Sequence, residues 1–336
     1  MANRGGVDLG GTKIQTVIVD AKHKVLGQAR RPTPTTGTPA DVKDAIAAAL
    51  VEAADGAGTK TSALSGIGVG SPGEIDPETG AVSQARNLPG WEGTYPLAEA
   101  LAESCGAPAA VGNDVQVATD AEFELGAGRK YRSILGVFWG TGVGGGLVLD
   151  GKPWLGRGAA GEIGHVVVRL NGARCPCGRR GCMEAYAGRA AMEAKARREV
   201  ARGRKTDLFE IMEKRGRERL TSGIWARAVK KEDKLALELI ERAIEHLGPG
   251  VASVCNVLDV ECVVVGGGLG IRFGEAYVKR IEEAMMPHLF ASDHPPDVRV
   301  AALGDLGGAI GAALLAPAGR RTRAVAKAAS GDGAGG

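Results

Sequence analysis

The pattern of apolar and polar positions falls into short runs separated by glycines. Residues 5–31 read as a strand ending at Leu9, a tight Gly10-Gly11 turn, a strand from Ile14 to Val19, a turn at Ala21-Lys22-His23-Lys24 and a third strand. Short Val- and Ile-rich runs bounded by turn residues predict a β-meander at the start of the chain. Apolar residues three and four apart predict an Ala-rich helix over residues 40–55. A buried strand over Gly66–Gly70, a helix over Tyr95–Cys105, a strand over Ala109–Gly112 and a helix from Asp114 to about Leu125 follow. The cycle then restarts: Ser133–Trp139, the turn Gly140-Thr141-Gly142 and the strand Val143–Leu149 repeat the arrangement of residues 5–19. Self-similarity of this kind predicts an internal duplication.

Residues 189–231 are helical in composition and basic, with Phe209 and Trp225 as their only aromatic residues. They read as a solvated helical face rather than a nucleic-acid surface. A long helix is expected over Asp233–Leu258, bent at Gly248-Pro249-Gly250, then an apolar strand Glu261–Val265 and a third glycine turn, Gly266-Gly267-Gly268. From about Ala316 to Gly336, Ala, Gly and Arg without periodicity predict a disordered tail.

Length and charge narrow the classes. The 336 residues are enough for two domains with a cleft between them, and 53 glycines against 4% aromatic residues turn attention to glycine loops. A formal charge of +3 gives no field that would draw the protein to nucleic acid or anionic lipid, so neither is expected as a partner. No run approaches the ~18–20 apolar residues that cross a bilayer, and the start lacks the apolar stretch of a secretory signal. A cytoplasmic location with reduced thiols is the expectation. Cys175, Cys177 and Cys182 are crowded together, whereas Cys105, Cys255 and Cys262 lie in apolar contexts and read as core thiols.

Asp8-Leu9-Gly10-Gly11-Thr12-Lys13 joins two predicted strands by a turn whose glycines let backbone N–H groups converge on an anion, with a hydroxyl and a cation beside them. An ordinary hairpin turn is the alternative for this motif alone. Gly140-Thr141-Gly142-Val143-Gly144-Gly145-Gly146 repeats the construction, and two such loops facing each other could hold the β- and γ-phosphates of a nucleotide. Neither fits the Walker pattern, and although Gly140, Gly142 and Gly145 fit G-x-G-x-x-G, a strand rather than a helix follows them.

Asn113-Asp114 stands where a buried strand gives way to a helix. Asp114 there is either an N-cap or a carboxylate placed to accept a proton from an attacking hydroxyl. Glu162-Ile163-Gly164-His165 precedes Cys175-Pro176-Cys177, Cys182 and Glu184; one imidazole and three thiolates suit a closed, structural tetrahedral Zn²⁺ site. Cys175 and Cys177 are too close in sequence to pair readily as a disulfide. His165 can bind metal through one ring nitrogen and donate through the other to a substrate hydroxyl, with Glu162 and Glu184 as acceptors, which makes a polyol-binding constellation.

Together, Asp8–Lys13, Asn113-Asp114, Gly140–Gly146, the Glu-x-Gly-His at Glu162–His165 and the Cys-x-Cys-Gly-x-x-Gly-Cys-x-Glu at Cys175–Glu184 resemble the ROK family (repressors, open reading frames and kinases), and within it the bacterial ATP-dependent glucokinases. The resemblance spans about residues 5–315 and implies an α/β, actin-like, ribonuclease H-type fold duplicated into two lobes around a cleft. It implies a small lobe over 1–113, rejoined by a C-terminal helix about 305–316, a large lobe over 114–304 carrying the zinc loop, and a tail from 317.

The activity implied is phosphoryl transfer from ATP to the 6-hydroxyl of glucose, with Asp114 as general base. Asp8, Gly10, Gly11, Thr12 and Lys13 would line the first phosphate loop, with Asp8 near Mg²⁺. Thr141 and Gly142 would form the second, and Gly267, Gly268 and Leu269 would lie beside the nucleoside. Asn87, Asn113, Asp114, Glu162, His165 and Glu184 would hold sugar hydroxyls, with Gly73 offering backbone. His165, Cys175, Cys177 and Cys182 would bind zinc, and a homodimer or homotetramer is implied.

The sequence departs from the family at Ala187-Gly188, where Ser-Gly is frequent, and in its longer basic segment after Gly188. Another hexose or an N-acetylhexosamine (mannose, fructose, N-acetylmannosamine) is the alternative acceptor, and polyphosphate an alternative donor that the cysteine cluster disfavours. A sugar-responsive repressor would need a helix-turn-helix region, which is not expected in the seven residues before Asp8.

Overall fold

The structure, a computed structural model, describes residues 3–317. The tail expected from 317 onward lies outside the described residues beyond its first position. The opening meander forms as read: β1 (Arg4–Leu9), β2 (Lys13–Val19) and β3 (Val25–Pro32) pair antiparallel, and α1 (Pro39–Gly56) packs on β2 and β3. The chain returns through β4 (Gly66–Ser71), the small hairpin β5 (Glu74–Ile75) and β6 (Val82–Ser83), α2 (Leu97–Cys105) and β7 (Ala109–Asn113). Parallel pairing of β4 with β1 and of β7 with β4 gives the order β3-β2-β1-β4-β7. α2 begins later than the sequence suggests because Pro96 disfavours helical backbone at Tyr95, which instead forms a β-bridge with Val82.

After α3 (Asp114–Glu124) come β8 (Ile134–Trp139), β9 (Val143–Leu149) and β10 (Lys152–Pro153). Five helices follow: α4 (Glu184–Ala187), α5 (Arg189–Ala201), α6 (Leu208–Lys214), α7 (Ser222–Lys230) and α8 (Lys234–Leu258). The chain closes with β11 (Cys262–Gly266), α9 (Gly267–Met285), β12 (Asp297–Val300) and α10 (Gly307–Leu315). The second sheet runs β10-β9-β8-β11-β12, antiparallel through β8 and parallel beyond, in the same order and sense as the first. What the glycine turns announced is thus a duplication of an entire sheet.

Each sheet seats a helix on a pair of glycines in register. Gly6 and Gly68 are partners on β1 and β4, and a Cβ at either would run into the backbone of α10 at Ala309 or Ala312. Gly136 and Gly146, partners on β8 and β9, leave the same room for Thr119 of α3. A strand glycine commonly marks such a close approach. α3 and α10 pack on each other, so α10, although last in sequence, joins the first sheet to the second. Separate cores lie on the outer faces. One is built from Leu9, Ile46, Leu50 and Ile67, the other from Val137, Trp139, Trp225 and Leu247, all fully buried.

The long helix forms as read: α8 runs through Pro249, and its flanking glycines serve packing, Gly248 against Ala284 and Gly250 against Met183. Two expectations are corrected. The third glycine run, read as a turn, opens directly into α9. Residues 189–231 are no merely solvated face: Leu208, Leu220, Ile224 and Trp225 are fully buried in the second core. Among the described residues no helix is long and apolar enough to cross a membrane.

Candidate active site

One cleft of about 3230 Å³ runs between the two sheets, and both glycine loops open into it. The residues expected to face sugar, phosphate or nucleoside all line it except Leu269. That side chain is fully buried in the second core, so at the start of α9 only Gly267 and Gly268 of the three present themselves to the cleft.

The first loop follows the last β1–β2 pair, Leu9 with Ile14. It is closed by the Gly10 N–H donating to the Lys13 carbonyl at 2.9 Å and braced by the Thr33 hydroxyl donating to the Gly10 carbonyl at 2.6 Å. Its charges are its own: the Lys13 ammonium stands 3.7 Å from the Asp8 carboxylate. Burial raises the Asp8 pKa against the opposing pull of Lys13, and the charge of Asp305, which also lines the cleft, adds to the rise. Gly11 is closely covered, since a Cβ there would stand 2.9 Å from the backbone oxygen of Asn87 and would displace it.

The second loop follows the pair Trp139 with Val143 and is closed by the Gly140 N–H donating to the Gly142 carbonyl at 3.0 Å. It is completed from elsewhere in the chain. The Glu184 carboxylate, at the start of α4, accepts from the Val143 N–H at 3.0 Å and lies where a Cβ of Gly142 would be. The first N–H groups of α5, at Arg189 and Ala190, donate to the carbonyls of Gly140 and Thr141 at 3.1 and 3.0 Å. The Arg189 guanidinium donates to Thr141 Oγ1 at 2.6 Å.

Asp114 lines the same cleft as both loops. Asn113, not Asp114, is the N-cap of α3: its Oδ1 accepts from the N–H groups of Val115 and Gln116, each at 3.1 Å. Asp114 occupies the first helical position, where Oδ1 accepts from the Val115 N–H at 2.9 Å. Its other oxygen has no protein partner among the described residues. Burial, then the negative charges of Asp8 and Glu162, push its pKa up to about 7 against that hydrogen bond. A carboxylate tuned near neutrality is suited to accept a proton.

His165 ends a short helical turn whose Gly164 packs on the Val143 backbone, and its ring joins two sites. Nδ1 lies 3.7 Å from Cys175 Sγ, while Nε2 faces the Glu162 carboxylate at 3.7 Å in the cleft. The ligand atoms of His165, Cys175, Cys177 and Cys182 all lie within 4.8 Å of one another, and Cys177 and Cys182 Sγ are 3.7 Å apart. Tetrahedral zinc with Zn–S near 2.3 Å sets sulfurs about 3.8 Å apart, so the donor set and its spacing fit Zn²⁺. The same spacing is far from a disulfide, and all six cysteines are free. Cys105, Cys255 and Cys262 are buried, as read. Tyr186 anchors the cysteine loop, its oxygen accepting from the Ala173 N–H at 2.7 Å and its ring stacked 3.9 Å from His246 of α8.

Asp305 and Arg189 are cleft residues that the sequence reading missed. Asp305 lies in the turn before α10 and acts on Asp8 only through the fold. Arg189 sat inside the segment taken for a solvated face. A signal for it existed: it is the first residue of a helix, where the dipole disfavours a cation, so a positive charge there asks for another partner.

Known proteins share this architecture. A glucokinase of Thermotoga maritima is 33% identical over 291 residues, covering 85% of this chain and 88% of the relative. An N-acetylgalactosamine kinase of a Shewanella species is 31% identical over 319 residues, covering 92% and 95%. The crystal structure of a ROK family glucokinase from Streptomyces griseus in complex with glucose and AMPPNP superposes with a TM-score of 0.80 at 30% identity, covering 94% of this chain and 99% of that one. With its duplicated sheets, paired glycine loops and a match to the ROK family over residues 4–318, the chain belongs to the ROK family and has its actin-like kinase fold.

Proposed function

We propose that this protein is an ATP-dependent sugar kinase that phosphorylates the 6-hydroxyl of glucose. The observation that carries the reading is Asp114, which shares one cleft with both glycine loops, is relieved of capping by Asn113 and has its pKa raised to about 7. In this reading Asp114 accepts the 6-hydroxyl proton as the oxygen attacks the γ-phosphorus; the new O–P bond forms, the bond to the β-phosphate oxygen breaks, and ADP leaves. The backbone N–H groups of Gly11–Thr12 and Thr141–Gly142 hold the phosphate charge, and positioning supplies most of the acceleration. Mg²⁺, which would neutralise phosphate charge, would be held near Asp8.

Asn87, Asn113, Glu162, His165 and Glu184 take the sugar hydroxyls, with the backbone of Gly73. His165, Cys175, Cys177 and Cys182 would hold a structural zinc ion that fixes the imidazole, and thiolate ligands suit a reducing cytoplasm. Residues 1–113 with 305–316 form one lobe and 114–304 the other, closing on the substrate to exclude water.

Glucose is favoured because relatives named glucokinase reach 33% identity and the S. griseus neighbour was solved with glucose. An N-acetylhexosamine is the second reading, supported by the Shewanella enzyme at 31% identity over 92% of the chain. ADP release from Mg-ATP with glucose, mannose, fructose, N-acetylglucosamine and N-acetylmannosamine separates them. Highest kcat/KM with glucose is expected. Highest kcat/KM with an N-acetylated sugar transfers the assignment, and no sugar-dependent ADP from folded, zinc-loaded protein refutes the kinase reading.

A further inference from the structure

Arg189 makes contacts that a surface cation does not. One guanidinium nitrogen donates to Thr141 Oγ1 at 2.6 Å and another to the Leu220 carbonyl at 2.6 Å, while Nε is buried without a partner. The residue it grips is fixed from its other side as well, because the Leu220 N–H donates to the buried carboxylate of Glu193 at 3.0 Å. Leu220 leads directly into Thr221 and Ser222 at the start of α7, and the Ser222 hydroxyl lies against Gly268 at the start of α9. One side chain therefore ties the second glycine loop to the cleft wall at Gly267-Gly268.

The contact also fixes a proton. Arginine has donors only, so Thr141 Oγ1 must accept from it, and the single hydroxyl hydrogen of Thr141 is left to donate elsewhere. Thr141 is exposed at the mouth of the cleft. Resting on the kinase reading above, we propose that Arg189 is a positioning residue for the donor nucleotide: it orients the Thr141 hydroxyl toward a phosphate oxygen of ATP and locks the phosphate loop to the nucleoside wall. The planar guanidinium does this through two separate nitrogens, one to each segment.

The test is the steady-state kinetics of Arg189→Met, Thr141→Val and the double variant, with ATP and sugar varied separately. Arg189→Met is expected to raise KM for ATP about tenfold, the scale of a lost hydrogen bond to a charged group, with KM for the sugar within twofold of wild type. Thr141→Val should do likewise, and the double variant should lie within twofold of the worse single variant, since both remove one interaction. A role confined to folding would lower the thermal midpoint and leave KM for ATP in place. Unchanged KM for ATP in either single variant, or effects that multiply in the double, overturns the inference. Thr141→Val decides the matter if Arg189→Met does not fold. Wild-type protein that phosphorylates no sugar refutes the kinase reading and this inference together, whereas wild-type turnover with unaltered variants refutes this inference alone.

Discussion

The loops at Gly10–Thr12 and Gly140–Gly142 stand at equivalent places in two sheets of identical strand order, yet they are finished differently. The first is flanked by its own charges, Asp8 and Lys13, 3.7 Å apart. The second has no charged residue beside it and receives Glu184 and Arg189 from the starts of the two helices that follow the cysteine loop. The helix junctions show the same contrast. β7 runs straight into Asn113-Asp114 at the start of α3, whereas its counterpart β12 is followed by Ala301-Ala302, with no carboxylate before Asp305. Duplication has copied the backbone frame, and the two copies carry different chemistry on it.

That asymmetry is broken most severely at Asp114. Asp114→Asn should lower kcat about 10²- to 10⁴-fold, the range for a general base, while Asn113 keeps α3 capped and the fold intact. In the wild type, kcat/KM should fall about tenfold per pH unit below about 7, where Asp114 becomes protonated. The stability consequence runs the other way. A carboxyl whose folded pKa is raised to about 7 favours the folded state fully below its unfolded value, and that contribution is lost as pH rises through 7. The Asn variant should therefore melt higher than wild type at pH 8, with the gain gone by about pH 4. Melting curves across that window, beside a coupled ADP assay, check both; an Asn variant that retains most of its activity displaces Asp114 as the base.

Zinc tests the imported half of the site. His165 is shared between the thiolate cluster and the cleft, and Cys175 Sγ lies 3.7 Å from Glu184 Oε1, so the cluster touches two proposed sugar residues at once. Removing the proposed zinc should weaken sugar binding about 10- to 100-fold, as losing support behind a ligand does, before the protein unfolds. Calorimetry on protein with metal content verified by atomic absorption is the measurement. Unchanged sugar affinity in zinc-free, folded protein would separate the cluster from the pocket.

The contrast between the loops also explains what could be read from the chain. The meanders, the paired glycine turns, the strand-to-helix step at Asn113-Asp114 and the cysteine cluster are contiguous, and local spacing carries them. Arg189, Asp305 and the burial of Leu269 depend on tertiary contacts that no local period records. The cap of α3 shows the limit at the scale of one residue: sequence allowed Asp114 to be either cap or base, and only the end of β7 at Asn113 assigns the cap. In the basic segment the charged residues masked an apolar stripe through Leu208, Leu220, Ile224 and Trp225, because long cationic side chains cover buried surface while their heads stay in water.

The smallest expected effect bears on whether the loops differ in what they support or only in how they are built. Gly11 lies under Asn87, and Gly142 lies under Glu184. In each loop a glycine on the phosphate side is thus pressed against a residue proposed to hold the sugar. Neither has a positive φ, so alanine is acceptable to the backbone and its effect comes from displacing the neighbour. At Gly142 the neighbour is the end of a side chain held by the Val143 N–H, which can yield by giving up that hydrogen bond. At Gly11 it is the backbone oxygen of Asn87, 2.9 Å away, in a segment anchored nearby by the Trp91 indole N–H donating to the Val82 carbonyl at 2.9 Å. Gly11→Ala and Gly142→Ala should each raise KM for the sugar about fivefold, equivalent to roughly 1 kcal/mol, with a smaller change in KM for ATP. A rise confined to ATP in both variants would make the loops simple phosphate cradles. A rise for sugar in one and for ATP in the other would show that the two copies have diverged in what they support as well as in how they are finished.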